Sequence, residues 1–357
     1  MHDNLAIDKL VIDKADRLAV AREWFDGEVR LSEPYAGRPP LWIEPESEAL
    51  RSEPVAAARW MADHKDQVEA ALLSFGAVVL RGFAVPDTDD FAALMAPFAT
   101  YAMGYAAGTS ERNVVKGEVM ESTRTPEEIY ILPHQEMSYM PDNPRGLAFY
   151  CKSPSRVGGE TVICDMRGVL EALPQELGQR FVEKAVRYVR NMRNRDVDDW
   201  RAEPVYQHLN WQDRFATEDS ALAEAQLRER GLDFRWEEDG SLTLWTELPG
   251  FTHHPVTGER LFFNQMIQQS KHRVMFGDKP VHDGPYGDKF VRPHFITFSD
   301  GTSLTDDEYM TIFRELERRK VAFPWQHGDV MILENKFTAH GRHPYGGPRD
   351  IQVLLLG

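Results

Sequence analysis

Apolar residues recur at threes and fours from about Pro54: Val55, Ala58, Trp60, Met61, Val68, Ala71, Leu72 and Phe75. That spacing lines one face of a helix. Gly76 is a natural stop, because glycine takes the left-handed conformation that closes a helix. Residues 77–83 then run apolar and predict a buried strand. Asp87 or Thr88 is placed to cap a second helix through about Phe98. Further strands are predicted at 146–151 and 159–165, with Pro154, Gly158 and Gly159 marking the turn between them.

Helical spacing returns from Met166 to about Lys184, with Pro174 suited to a first helical turn. Residues 186–190 predict a strand, and Thr217 is a candidate cap for a helix ending at Gly231. Segments 234–237 and 242–245 flank Asp239-Gly240, a hairpin signal. Thr257-Gly258 marks a second turn before 261–264, and 270–293 reads as loop. Thr305 and Glu308 form a capping-box pattern opening a helix to about Arg319. Strands are predicted at 321–323, 329–333 and 351–356, the last apolar enough to be central. Residues 101–130 and 191–216 are polar and read as irregular chain.

These elements predict a mostly β fold with helical insertions, of the α+β class, around a jelly-roll (double-stranded β-helix) core. One catalytic domain spans 1–357. Residues 1–50 form an N-terminal wrap and 50–100 a helix–strand–helix lead-in. Residues 130–165 and 320–357 supply the jelly-roll strands that carry the site. Residues 166–320 are a helical and loop insertion with hairpins.

Composition narrows the picture. A net charge of −16 over 357 residues argues against non-specific nucleic-acid binding, which needs a basic footprint. Two cysteines, Cys151 and Cys164, are too few for a disulfide framework and predict buried thiols in neighbouring strands. The N-terminus carries no basic stretch followed by an apolar run, and no uncharged apolar stretch approaches ~18 residues, so no signal peptide or membrane span is expected. A cytoplasmic protein is the default.

The candidate chemistry lies in Leu132-Pro133-His134-Gln135-Glu136-Met137-Ser138-Tyr139. Read as extended chain, this stretch turns His134 and Glu136 to one face and Gln135 away. Two ligands leave a metal site incomplete, and the best third candidate is His340, far along the chain. Two histidines and a carboxylate on one side of a metal are the set used by non-haem Fe(II) oxygenases.

An ordered series surrounds these residues: His134–Tyr139, then Gly158-Gly159-Glu160-Thr161, Gly328-Asp329-Val330, Asn335, and His340 through Arg349. The series resembles the taurine dioxygenase/TfdA-type family of Fe(II)- and 2-oxoglutarate-dependent oxygenases, nearest to its SyrP-like and clavaminate synthase-like branch. The resemblance runs from about residue 50 to the end. It implies an iron site of His134, Glu136 and His340, with 2-oxoglutarate and O2 as co-substrates. The far carboxylate of 2-oxoglutarate needs a cation, and a guanidinium meets it with two parallel hydrogen bonds. Arg349 is the family-matched choice and Arg342 the competitor. Thr161 resembles the threonine that helps hold 2-oxoglutarate.

The implied reaction is hydroxylation of an unactivated sp3 carbon. Related halogenases lack the carboxylate that Glu136 supplies, so its presence argues for hydroxylation. Asn264 resembles a family position near the substrate, and Arg112, Ser122 and Arg124 precede the metal motif as further substrate candidates. Taurine-type members carry a second arginine about four residues after the one that holds 2-oxoglutarate. Val353 stands there instead, which argues against a sulfonate clamp. The SyrP-like look points to an amino acid or amino-acid-derived small molecule, free or tethered to a carrier protein, in specialised metabolism. Desaturation, cyclisation or epimerisation with the same cofactors, and a non-catalytic jelly-roll binding protein, are the alternatives. The remaining ten histidines read as solvated or hydrogen-bonded side chains.

Overall fold

The computed structural model describes residues 17–25, 27–102, 112–123, 125–197, 209–269 and 294–357. An eight-stranded sheet runs in the order Val29–Ser32, Leu41–Pro45, Ala77–Leu80, Val330–Glu334, Gly146–Ser153, Asp350–Leu356, Val119–Glu121 and Val114–Lys116. A four-stranded sheet runs Lys320–Ala322, Thr161–Asp165, Thr338–Arg342 and Ile131–His134. All pairings in both are antiparallel except Leu41–Pro45 with Ala77–Leu80. The late strands interleave with the early ones in each sheet, so segments 200 residues apart become neighbours. The last strand is central in the larger sheet, as its apolar run predicts.

The continuous apolar runs follow from burial on both faces. Val79, Leu147, Phe149, Cys151, Met331, Leu333, Val353 and Leu355 join a core with Ile163, Cys164 and Ala339 of the smaller sheet. Their chain neighbours Val78, Leu80, Ala148, Tyr150, Val330, Ile332, Leu354 and Leu356 join a second core with Trp60, Met61, Phe75 and Phe91 from the lead-in helices. Alternation at period two thus assigns successive side chains to two cores. Cys151 and Cys164 are buried and free, but they lie in different sheets rather than in neighbouring strands.

The helical stretch predicted from Pro54 is two helices, Pro54–Asp63 and Lys65–Phe75. They part at His64, whose Nδ1 lies 2.9 Å from Trp60 O. Gly76 closes the second at φ 82°, as expected. Asp87 caps helix Thr88–Met95 through the amides of Asp89 and Asp90, and Thr305 and Glu308 form the capping box of helix Asp306–Arg319. The helix expected over 166–184 is broken at Pro174 into Val169–Ala172 and Gln175–Glu183. Asp219, not Thr217, caps helix Ser220–Glu229; the Thr217 hydroxyl is taken by Asp219 N–H.

The segment expected to hold helices, loops and hairpins contains a third sheet of four strands, ordered Asp233–Trp236, Leu242–Pro249, Ala185–Met192 and His294–Phe298. The expected loop at 270–293 lies outside the described residues. Among the described residues no helix is long and apolar enough to cross a membrane.

Candidate active site

His134 ends the strand Ile131–His134, and His340 lies directly opposite it in the strand Thr338–Arg342. Their ring centroids are 4.5 Å apart, and Phe149 covers the His340 ring at 5.2 Å. His134, Glu136 and His340 each bring one donor atom to a point, all within 4.8 Å of one another. His134 Nδ1 lies 2.9 Å from Leu132 O, which orients the ring and leaves Nε2 for a ligand.

Glu136 arrives there by a different route from the one the sequence predicts. It is not in the strand, which stops at His134; it sits in the following turn, where Met137 takes φ 53°. The turn is fixed from outside. Asn335 Oδ1 accepts from Glu136 N–H at 2.7 Å, and Asn335 Nδ2 donates to Glu136 O and Pro144 O, each at 2.9 Å. Gln135 points away, as expected, and donates to Phe262 O and Lys336 O.

The electrostatics suit a divalent cation. Burial alone would raise the Glu136 pKa, but Arg112 Nη2 at 2.9 Å and His340 Nε2 at 3.5 Å hold the carboxyl well below its ordinary range. Burial, then the neighbouring His340, pushes the His134 imidazole down to about 4. A charged carboxylate with a neutral imidazole is the donor chemistry of Fe(II) sites, and the residues present fit that ion.

Residues 40–355 match the family described as Taurine catabolism dioxygenase TauD, TfdA family. The chain belongs to the TauD/TfdA family. A clavaminate synthase-like protein of Arabidopsis thaliana is 31% identical over 296 residues, covering 82% of this chain and 84% of the relative. Dapdiamide synthesis protein DdaC of Enterobacter agglomerans is 26% identical over 289 residues, covering 81% and 84%. The fold is shared with AAD-2 solved with Mn(II) and N-oxalylglycine, at TM-score 0.51, 12% identity and coverage of 92% and 97%. It is also shared with PvcB of Pseudomonas aeruginosa, at TM-score 0.50, 15% identity and coverage of 93% and 92%. This TauD/TfdA protein is an Fe(II)- and 2-oxoglutarate-dependent dioxygenase, with O2 as co-substrate.

The other expected residues fall into distinct places. Arg349 Nε donates to Gly159 O at 3.0 Å, and its guanidinium lies over Tyr345 at 5.5 Å. Among the described residues no carboxylate lies within ion-pair distance of Arg349. Burial, then the nearby Arg342, pushes its pKa down to about 10. Arg342 is already engaged, donating to Thr125 O, Pro126 O and Ile129 O at 2.6 to 2.9 Å. Thr161 is paired across the strands with Arg342, and its Oγ accepts from Trp325 Nε1 at 3.0 Å.

Asn264 is buried; its Nδ2 donates to Gly250 O and its Oδ1 accepts from Met266 N–H, so both ends clamp the chain. Ser122 is half-buried beside the last strand, its N–H bonded to Ile351 O. Arg124 lies outside the described residues. Arg112, expected near a substrate, is placed on Glu136 itself. Asn335 belongs to the ordered series of motifs, where its order along the chain gives no sign of the clamp it forms on Glu136. Gln265, whose Nε2 donates to Gln135 O, was missed; its polar place beside Asn264 after an apolar strand was the available signal.

Proposed function

We propose that His134, Glu136 and His340 hold Fe(II), and that the enzyme hydroxylates an unactivated sp3 carbon of an amino acid or amino-acid-derived substrate. The observation that carries this reading is the meeting of three donor atoms within 4.8 Å, from a strand end, a turn and a facing strand. The relative named for dapdiamide synthesis supports an amino-acid-like substrate in specialised metabolism; whether that substrate is free or tethered to a carrier protein is what the substrate panel below decides.

Bound there, Fe(II) supplies the coupling of O2 reduction and 2-oxoglutarate decarboxylation to C–H cleavage. The net reaction turns C–H, O2 and 2-oxoglutarate into C–OH, succinate and CO2. The protein's share is placement. Arg349 is assigned to the far carboxylate of 2-oxoglutarate: its Nε is tied to Gly159 O, which fixes the guanidinium plane. A half-buried cation with no carboxylate of the described residues at ion-pair distance is poised to take one from a ligand. Thr161 is assigned to the same cosubstrate, its hydroxyl set by Trp325. Arg342 is assigned to holding the 125–129 segment against the site. Arg112 steadies Glu136 as a charged acceptor. Phe149 and the buried wall around it exclude water from His340.

The test is anaerobic addition of Fe(II) and 2-oxoglutarate. A metal-to-ligand charge-transfer band is expected from the wild type and its loss from His134→Ala. Equal iron affinity in the two proteins would sink the assignment. With O2 and a panel of free and carrier-bound amino acids, succinate is expected together with a product heavier by one oxygen. A product lighter by two hydrogens would replace hydroxylation with desaturation.

A further inference from the structure

His253 and His254 are neighbours in sequence, and extended chain turns such neighbours to opposite faces. His253 is exposed and His254 is buried. His254 stands just past the strand Phe251–His253, at the head of a turn that returns into the strand Arg260–Phe262. Its N–H donates to Glu259 O at 2.8 Å, and its carbonyl accepts from Gly258 N–H at 2.9 Å, which closes that turn. Its Nδ1 accepts from Val256 N–H at 3.3 Å and from Thr257 N–H at 3.1 Å. An imidazole nitrogen that accepts carries no hydrogen, so the ring hydrogen is on Nε2.

That second nitrogen faces a buried carboxylate. Nε2 lies 3.3 Å from Glu334 Oε1, with the two side chains 2% and 3% exposed. The ring stacks on Phe337 with centroids 4.2 Å apart. Glu334 Oε2 accepts from Lys336 N–H at 2.7 Å and from Phe337 N–H at 2.8 Å. One oxygen thus folds the turn 334–337 while the other meets His254. The same turn presents the two groups that hold the ligand segment: Asn335, on the peptide of Glu136, and Lys336 O, which accepts from Gln135 Nε2. A buried carboxylate that loses its partner is left uncompensated, and its surroundings must shift or admit water. Here the surroundings are the turn that presents Asn335.

We propose that His254 is a positioning residue for Glu136, acting through Glu334 and the turn 334–337. The step to metal binding rests on the iron-site reading; the coupling of the 251–262 hairpin to the Glu136 peptide does not. This contact gives the hairpin a hold on the ligand segment separate from the bond between Gln135 Nε2 and Phe262 O.

Hydrogen exchange of the full-length, metal-free protein, read at single amides, tests it. Two variants separate the contact from the ring. His254→Asn keeps an oxygen for the turn amides but is too short to reach Glu334. His254→Gln sets an amide N–H about where Nε2 stands, and both give up the stack on Phe337. In His254→Asn the Glu136 amide should exchange about tenfold or more faster relative to the Ala148 amide. Ala148 is paired on both sides in the larger sheet and reports global opening. In His254→Gln the ratio should stay within about threefold of wild type. Glu334→Gln, which keeps the size and removes the charge, should move the ratio as His254→Asn does, and decides the matter where that variant does not fold. An unchanged ratio, or one raised equally in His254→Gln, overturns the positioning role. Anaerobic Fe(II) affinity should fall by about tenfold in His254→Asn and recover in His254→Gln. Unchanged iron affinity beside a raised ratio overturns the step to metal. A raised ratio in a protein that takes up no iron sinks the iron site and keeps the coupling.

Discussion

Asn335 grips the peptide of Glu136 from both sides, accepting from its N–H at 2.7 Å and donating to its carbonyl at 2.9 Å. This buried pair spans 199 residues of sequence and is what sets the carboxylate in the turn beyond the strand. Asn335→Ala strands two backbone groups of Glu136 and Pro144 O, at a cost of roughly 2–4 kcal/mol of stability. Loss of the support should also weaken Fe(II) binding by about 10–100-fold. Chemical denaturation and anaerobic iron titration measure the two effects. Wild-type iron affinity in a destabilised variant would separate the clamp from the site.

Arg349 and Arg342 sit side by side but have different occupations. Arg349→Gln should raise the apparent KM for 2-oxoglutarate by about tenfold or more and leave iron affinity alone. Arg342→Gln removes three bonds to backbone carbonyls and should cost about 3 kcal/mol or more of stability. Steady-state kinetics with varied 2-oxoglutarate, set beside thermal melts, distinguish the two. The opposite pattern would exchange their roles.

Gly341 lies between His340 and Arg342, where the strand passes close to its neighbour. A Cβ at this position would meet Ile131 O at 2.3 Å, and Leu132 C at 3.0 Å. Both contacts are backbone, so a side chain can enter only by moving the strand that ends in His134. Gly341→Ala should lower stability by about 1–3 kcal/mol and weaken iron binding together. Unaltered iron affinity would mean that the strand pair yields without disturbing the ligands.

The metal-free protein should weaken in mild acid. The folded His134 titrates near pH 4, against 6.5 for an ordinary histidine. Between those values the unfolded chain holds a proton that the folded one does not, so stability falls as pH drops from about 6.5 to about 4. Glu136, held below its ordinary pKa, adds a loss at the acid end of that window. Urea unfolding at several pH values measures the slope, and His134→Gln should flatten it. An equal slope in the variant would remove His134 as its source.

The fold was largely legible because its strands are buried on both faces and stand out as apolar runs. Segments such as 146–151, 329–333 and 351–356 need no alternation to be recognised. Strands Val114–Lys116 and Val119–Glu121 were not legible: the first is exposed throughout at the sheet edge and carries no apolar pattern. The third sheet was half-read, since its hairpin has a turn signal but its union with Ala185–Met192 is set only by tertiary pairing. In the candidate site, motif pairs His134 with His340, and the fold sets the two opposite each other. The turn at Glu136 was mistaken for strand, because its cause is a side chain 199 residues away. The resemblance favours Arg349 over Arg342, and the three carbonyls to which Arg342 donates are a contact that order along the chain does not reveal.

Gln135, which stands between His134 and Glu136 and faces away from them, ties three separate segments into one piece. It donates to Phe262 O and Lys336 O and accepts on its own carbonyl from Gln265 Nε2. For anyone grafting new specificity onto this scaffold, the 250–265 segment is consequently no interchangeable cassette. A transplanted version must reproduce a carbonyl at 262 and an amide donor at 265, or the graft will disturb His134 and Glu136 through their back side.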